Sequence, residues 1–245
     1  MPSSTRTSSS ARASARRKPL LICAGVALTA AALGLVSWQA ADSGEAPARP
    51  AAAPAPRAAD SPLTKLARRE AGDKLAVGRP DAPVVLIEYS DFKCGYCGKF
   101  ARDTEPELMR KYVADGTLRI EWRNFPIFGA ESEAAARAAW AAGQQDRFLP
   151  FHTAAYAEGA KQKGFGEARL LELAREAGVP DLERFEKDLA GEEAAAALAK
   201  DREEGYRIGV SSTPSFLVGG RPVAGAQPLA AFEAAIAAAK AQAGR

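Results

Sequence analysis

Apolar and polar positions divide this chain into three kinds of stretch. Leu20 to Trp38 is an uncharged apolar run of 19 residues with no polar periodicity. Residues 42–62 hold Pro47, Pro50, Pro54, Pro56 and Pro62 among alanines, a composition that favours extended polyproline geometry over a packed core. From residue 63 onward, helical and strand periods alternate. Leu63 to Lys74 predicts a short lead-in helix with Leu63, Leu66 and Ala67 on one face, broken by Gly78-Arg79-Pro80. Val84 to Ser90 reads as a buried strand. Gly98 to Val113 reads as a helix that presents Phe100, Leu108, Met109 and Tyr112 to the core, with Pro106 as a kink. Thr117 to Asn124 sets Leu118, Ile120 and Trp122 against Arg119, Glu121 and Arg123, the pattern of a strand exposed on one face.

From Glu131 to Tyr206 the period is helical throughout. Four pieces are expected: Glu131–Gln145, Phe148–Glu158, Glu167–Ala177, and Leu182–Tyr206 with a break at Gly191. Phe216 to Val218 then pairs with Arg221 to Val223 across Gly219-Gly220 as a hairpin. A final helix, Pro228 to Ala243, places Leu229, Phe232, Ile236 and Ala239 on one face. The order of elements predicts an α/β unit interrupted by an all-helical insertion. The expected segments are a basic tail 1–19, an apolar span 20–38, a linker 39–62, a first α/β part 63–129, the insertion 130–206 and a second α/β part 207–245.

Charge changes the reading of the N-terminal third. The formal charge of the whole chain is +3, but residues 1–41 carry Arg6, Arg12, Arg16, Arg17 and Lys18 and no acid. Without those five, 28 basic residues face 30 acidic ones, so the basicity gives no case for nucleic acid. The run 20–38 is just long enough to cross a bilayer core. Positive charges before it, and Asp42 and Glu45 after it, orient the N-terminus to the cytoplasm and the remainder outside. The flank Ser37-Trp38-Gln39-Ala40-Ala41 lacks a small-x-small cleavage site, so an uncleaved anchor is expected over a removed signal peptide. Cys23 follows Ile22 where a lipidation site wants a small residue, and reads as a plain membrane-helix residue. The linker, at about 3.1 Å per residue, reaches roughly 60 Å.

The chemistry concentrates at Cys94-Gly95-Tyr96-Cys97, between a strand and a helix. Cysteines three apart lie about one helical turn apart and can close a disulfide without moving the backbone. At a helix N-terminus, free N–H groups and the macrodipole favour a thiolate on the first of them. A helix terminus supplies up to about 2 kcal/mol, enough to bring a thiol from about 8.5 to about 7. Lys93 and Lys99 flank the pair but are expected to be solvated and weak. The alternative, half of a zinc site, needs four ligands; the only other cysteine is Cys23 and the only histidine is His152. A redox dithiol with no metal and no cofactor is therefore the expected reading.

Glu88 stands six residues before Cys94 in the middle of the apolar strand. Two readings of it remain open: an edge position facing water, or a partly buried acid that relays a proton to or from Cys97. His152 is read as a packed, hydrogen-bonded residue and not as a partner of the dithiol.

Taken together, Asp81-Ala82-Pro83, the strand carrying Glu88, the segment Tyr89 to Cys97, the helical insertion, Val210-Ser211-Ser212-Thr213-Pro214-Ser215-Phe216 and Gly225-Ala226-Gln227-Pro228 resemble the DsbA-like thiol–disulfide oxidoreductases over about residues 63–243. The resemblance implies a thioredoxin fold split by a helical domain and a cis peptide bond at Thr213–Pro214, with that loop against the dithiol. It implies that Cys94 is the exchanged thiol, Cys97 the resolving one and Glu88 the acid beneath them. It also implies thiol-bearing exported proteins as substrates and a quinone-linked membrane reoxidant or electron donor as partner. Gly95 and Tyr96 stand where oxidase members commonly have Pro and His. That pair, and threonine before the cis-proline, are similar to the dimeric disulfide isomerases, whose separate dimerisation domain the short stretch after the linker is not expected to supply. The expected function is an extracytoplasmic, membrane-anchored oxidoreductase that introduces disulfides. The rivals are an isomerase or reductase kept reduced by a membrane donor, and a tethered metallochaperone whose thiolates hold a soft metal.

Overall fold

The computed structural model describes residues 61–244. The basic tail, the apolar run 20–38 with Cys23, and the proline-rich stretch up to residue 60 lie outside the described residues. Among the described residues no helix is long and apolar enough to cross a membrane.

A five-stranded sheet forms the centre, ordered β1-β3-β2-β4-β5. Its strands are β1 (Ala76–Val77), β2 (Val84–Ser90), β3 (Leu118–Asn124), β4 (Ser215–Val218) and β5 (Arg221–Ala224). β2 and β3 run parallel, with Glu88 beside Trp122 in the register; β4 runs antiparallel to β2. The hairpin β4–β5 turns through Gly219 and Gly220, whose φ values of 56° and 78° suit glycine and match the twist of the strands.

The helices are α1 (Gly95–Asp103), α2 (Glu105–Leu108), α3 (Ala130–Gly143), α4 (Phe148–Ala155), α5 (Glu167–Glu176), α6 (Leu182–Ala190), α7 (Glu192–Arg207) and α8 (Leu229–Ala243). The thioredoxin fold with a helical insertion is thus as expected, and α3 to α7 are the insertion. The sheet and the insertion share one continuous core. Val84, Leu86, Ile120 and Trp122 of the sheet belong to the same apolar cluster as Phe148, Phe151, Leu173 and Phe185 of the helical block. Phe100 of α1, Phe216 of β4 and Phe232 of α8 close the other end as a triad with ring centroids 4.5–5.1 Å apart.

Three expectations need correction. The helix expected from Gly98 to Val113 begins at Gly95 and is broken at Thr104. Pro106 lacks an N–H and would clash inside a helix, so the chain restarts at Glu105 with the proline in the first turn, where no donor is needed. A π-helical turn, Met109–Val113, finishes the segment.

The lead-in helix is only a 3-10 turn, Pro62–Leu66. It cannot continue because the backbone N–H groups of Arg68 and Arg69 donate to the Glu121 carboxylate, at 2.9 and 2.8 Å, instead of to helix carbonyls. Arg69 enters the left-handed region, φ 51°, at this point.

Strand β3 is not exposed on one face: all seven of its residues are buried. Its polar side is covered by the segment 61–70 and by α7. Arg119 Nε reaches Glu121 at 2.9 Å, Arg123 Nη2 reaches Glu121 at 3.0 Å, and Arg123 Nε reaches Glu204 of α7 at 2.9 Å. Arg68 pairs with Asp201, which also accepts the Asn124 backbone N–H. Gly205 lets α7 approach: a Cβ there would sit 2.6 Å from the Phe125 ring.

Candidate functional site

The C-terminal end of β2 runs into a short loop that Asp91 holds. Its buried carboxylate accepts the backbone N–H of Lys93 at 2.7 Å and that of Ile127, beyond β3, at 2.6 Å. The Asp91 carbonyl takes the Cys94 N–H at 2.9 Å. This fixes where α1 starts. Cys94 is its N-cap, with extended backbone (φ −74°, ψ 119°), and its sulfur accepts the Cys97 backbone N–H at 3.4 Å.

Cys94 and Cys97 are both free thiols and both buried, Cys97 completely. Their environments pull them apart. The Cys97 thiol donates toward the Cys94 sulfur and favours its thiolate most; burial opposes this; the Thr213 hydroxyl and the Cys97 and Tyr96 backbone N–H groups add to it. The Cys94 pKa falls to about 6. This is lower than a helix terminus alone supplies, and the donors that sequence reasoning missed are the second thiol and Thr213. Burial raises Cys97 well above the ordinary thiol range, and the Cys94 and Glu88 charges reinforce it.

The Thr213–Pro214 peptide bond is cis. The Thr213 carbonyl lies 3.2 Å from the Cys94 sulfur and accepts from its thiol when protonated. The Pro214 carbonyl accepts from Gly225, so the loop is anchored to the end of the β4–β5 hairpin. Tyr96, between the two cysteines, is 69% exposed and sets an aromatic ring beside the reactive sulfur.

Of the two readings of Glu88, the edge position is excluded: its exposure is 0%, in the middle of the sheet. Burial drives its pKa up to about 8. The nearby Ser90 hydroxyl and Trp122 indole offset part of this, and the Cys94 charge adds to it. Neither Glu88 oxygen has a protein partner at hydrogen-bonding geometry. The structure therefore brings Glu88, Cys94, Cys97 and the Thr213–Pro214 loop to one place.

His152 is packed as expected, in an aromatic cage of Phe92, Trp122, Phe148 and Tyr156. It is not the hydrogen-bonded residue anticipated. Its Nε2 has no protein partner, and its Nδ1 lies 3.7 Å from Glu105 Oε2, beyond a formed hydrogen bond. Burial drives its pKa down to about 3, so it is neutral at pH 7. Glu105 was not singled out from the sequence. An acid in the first turn of a helix normally faces water at the positive end of the dipole; here the restart at residue 105 turns it inward.

A family model described as thioredoxin matches residues 70–238. The chain is 34% identical over 161 residues to the Na(+)/H(+) antiporter NhaA 3 of Salinispora tropica; the match covers 65% of this chain and 24% of that protein. The chain thus spans about a quarter of the length of that antiporter. It is 32% identical over 151 residues to a probable disulfide bond formation protein D of Bacillus anthracis, covering 59% of this chain and 69% of that one. Among solved structures, a thioredoxin-like oxidoreductase from Silicibacter pomeroyi superposes with a TM-score of 0.61 at 30% identity, over 70% of this chain and 99% of the other.

Proposed function

Because the chain belongs to the thioredoxin family, in the DsbA-like form with a helical block set into the fold, we propose that it is a thiol–disulfide oxidoreductase acting outside the cytoplasm on exported proteins. In the proposed direction it introduces disulfides. A substrate thiolate attacks the sulfur of Cys94 in the Cys94–Cys97 disulfide. The S–S bond breaks, and Cys97 leaves and takes a proton from Glu88. A second substrate thiolate then attacks the substrate sulfur of the mixed disulfide and expels Cys94 as a thiolate.

The observation that carries this reading is the division of labour at the head of α1. Cys94, with a pKa of about 6, ionises at neutral pH and is a good leaving group. Cys97 is buried and held as a thiol, with an acid that is still protonated at pH 7 beneath it. A stabilised Cys94 thiolate favours the reduced enzyme and makes its disulfide the stronger oxidant, which supports the oxidising direction. The exported location rests on the basic residues before the run 20–38 and on the length of that run. A quinone-linked membrane reoxidant belongs to the reading by resemblance.

The Gly95-Tyr96 pair and Thr213 favour one second reading, an isomerase or reductase kept reduced by a membrane donor. Refolding of reduced ribonuclease and reduction of insulin by the protein test the two together. The oxidase reading expects disulfides formed in ribonuclease by the oxidised protein, with loss of activity in Cys94→Ser. Faster insulin reduction with no ribonuclease oxidation favours the second reading. Stoichiometric binding of a soft metal without turnover overturns both in favour of a metallochaperone.

A further inference from the structure

Below the dithiol lies a buried cluster of polar side-chain atoms that lack partners. Twelve buried side-chain nitrogen and oxygen atoms have no hydrogen-bond partner among the described residues. Six of them gather here: both oxygens of Glu88, Glu105 Oε1, Trp122 Nε1, His152 Nε2 and the Tyr156 hydroxyl. The group is contiguous. Glu88 and Trp122 are neighbours in the parallel register. The Trp122 ring lies 5.4 Å from His152, and His152 lies 4.8 Å from Tyr156. Glu105 Oε2 is 3.7 Å from His152 Nδ1, and both side chains are 2–3% exposed. The Trp122 indole N–H faces the Glu88 and Glu105 carboxyls alike. Native proteins pair nearly all such atoms, and concentrated exceptions mark groups held for chemistry.

Each turn of the cycle puts one proton on the Cys97 sulfur and takes it from Glu88. Glu88 then carries a negative charge in the centre of the molecule with no cation beside it, a state that burial disfavours strongly. Until reoxidation takes the proton off Cys97 again, that charge persists unless a second buried acid neutralises it, and Glu88 does not touch water. Glu105 is the other acid of the cluster, and its exposure is 3% against 0% for Glu88.

We propose that Glu105 is a positioning residue for the proton of the exchange reaction, returning a proton to Glu88 after Glu88 has protonated Cys97. The inference rests on the dithiol chemistry proposed above and adds a group to it. Protons balance at each step. Cys97 thiolate and Glu88 acid become Cys97 thiol and Glu88 carboxylate. Glu88 carboxylate and Glu105 acid become Glu88 acid and Glu105 carboxylate. Glu105 then recovers its proton from solvent; on reoxidation Cys97 gives its proton to Glu88 and the same transfers run in reverse, so that one proton leaves through Glu105.

The groups that face Glu105 allow this. From β2 comes Glu88, whose charge opposes a second ionisation; from β3 comes Trp122, whose indole N–H favours one; from α4 comes His152. α8, which also packs on α2, turns Phe232 and Ile236 inward, while its Glu233 pairs with Lys111 at the surface. Among the described residues no cation pairs with either acid. Burial, and then the Glu88 charge, raise Glu105 well above the ordinary carboxyl range, so it holds a proton to give at neutral pH.

The test is an infrared difference spectrum between the oxidised and dithiothreitol-reduced protein in the protonated-carboxyl region, from pH 6 to 9. The wild type is expected to show two perturbed bands, one removed by Glu88→Gln and the other by Glu105→Gln. Glu105→Gln is also expected to slow repeated oxidation of dithiothreitol, with oxidised glutathione as the terminal oxidant, about tenfold above pH 7, with the first turnover of pre-protonated enzyme unchanged. A wild-type spectrum with a single band, or a Glu105→Gln spectrum identical to wild type, overturns the proposal; the wild-type measurement decides even if the variant does not fold. Dithiothreitol reports on the dithiol alone. Two bands with no ribonuclease oxidation would therefore keep this inference and remove the oxidase reading, whereas no exchange with dithiothreitol would remove both.

Discussion

The two faces of the sheet bury charge in opposite ways. On the face covered by the segment 61–70 and α7, every guanidinium of β3 meets a carboxylate. Burial works against ionisation of Glu121, but Arg119, the backbone N–H groups of Arg68 and Arg69, and Arg123 outweigh it and hold its pKa below the usual range. Asp201 is the partial exception: burial raises it in spite of Arg68 and Arg123. On the face packed against α3–α6, Glu88 and Glu105 have no cation among the described residues, and both are raised. A buried acid with cationic partners stays ionised and ties elements together. A buried acid without them keeps its proton and has it to give. One strand pair carries both solutions, on alternate residues.

The sharpest way to break this contrast is at Arg123. Arg123→Met leaves Glu121 and Glu204 buried without their shared cation, and should cost about 3–5 kcal/mol of folding stability. The denaturation midpoint should fall with an unchanged slope, and the folded fraction should still exchange disulfides. Equal stability of variant and wild type would mean that the network contributes nothing.

Glu88→Gln should do the reverse. Removing an acid without partners costs no stability, while the protonation of Cys97 slows, by about 10²-fold for a lost general acid. Stability should also lose a pH dependence. The Glu88 pKa is about 8 in the folded chain against an ordinary 4.5, so the folded state holds the proton longer. Its contribution is complete below about 4.5 and is lost as the pH rises through about 8. Urea denaturation of the oxidised protein at pH 5, 6.5 and 8 should show that decline in the wild type relative to Glu88→Gln. Glu121, whose pKa is lowered, acts with the opposite sign and weakens the fold only in acid.

The smallest effect is expected at Lys99→Ala. Lys99 and Asp103 pair on the outer side of α1, both more than half exposed. Such pairs are screened by water and salt, so neither the denaturation midpoint nor the exchange rate should move. A change in the rate would place Lys99 in the field of Cys94 after all.

Much of the contrast was hidden in the sequence, for a physical reason. Alternation along Thr117 to Asn124 identifies a polar face, but not what covers it. The partners come from far along the chain: Arg68 lies 53 residues from Glu121, and Glu204 lies 81 residues from Arg123. The dithiol, the helical pieces of the insertion, the hairpin and the last helix were legible because each rests on local spacing or turn chemistry. Glu88 stood out because a carboxyl is foreign to an apolar strand. Glu105 did not, because Glu-Pro-Glu opens helices in water just as well. Asp91 was missed for a similar reason: only the folded loop shows that its carboxylate collects N–H groups from both strand ends.

The apolar cluster that runs without a seam from β2 and β3 into α3–α6 has a further consequence. The helical block is no detachable cassette. It should melt in the same step as the sheet, and a graft of the block alone onto another scaffold would leave Phe148 without Trp122 and Phe151 without Phe92. Variation in this block must be matched residue by residue underneath it, which confines free change to its outer surface.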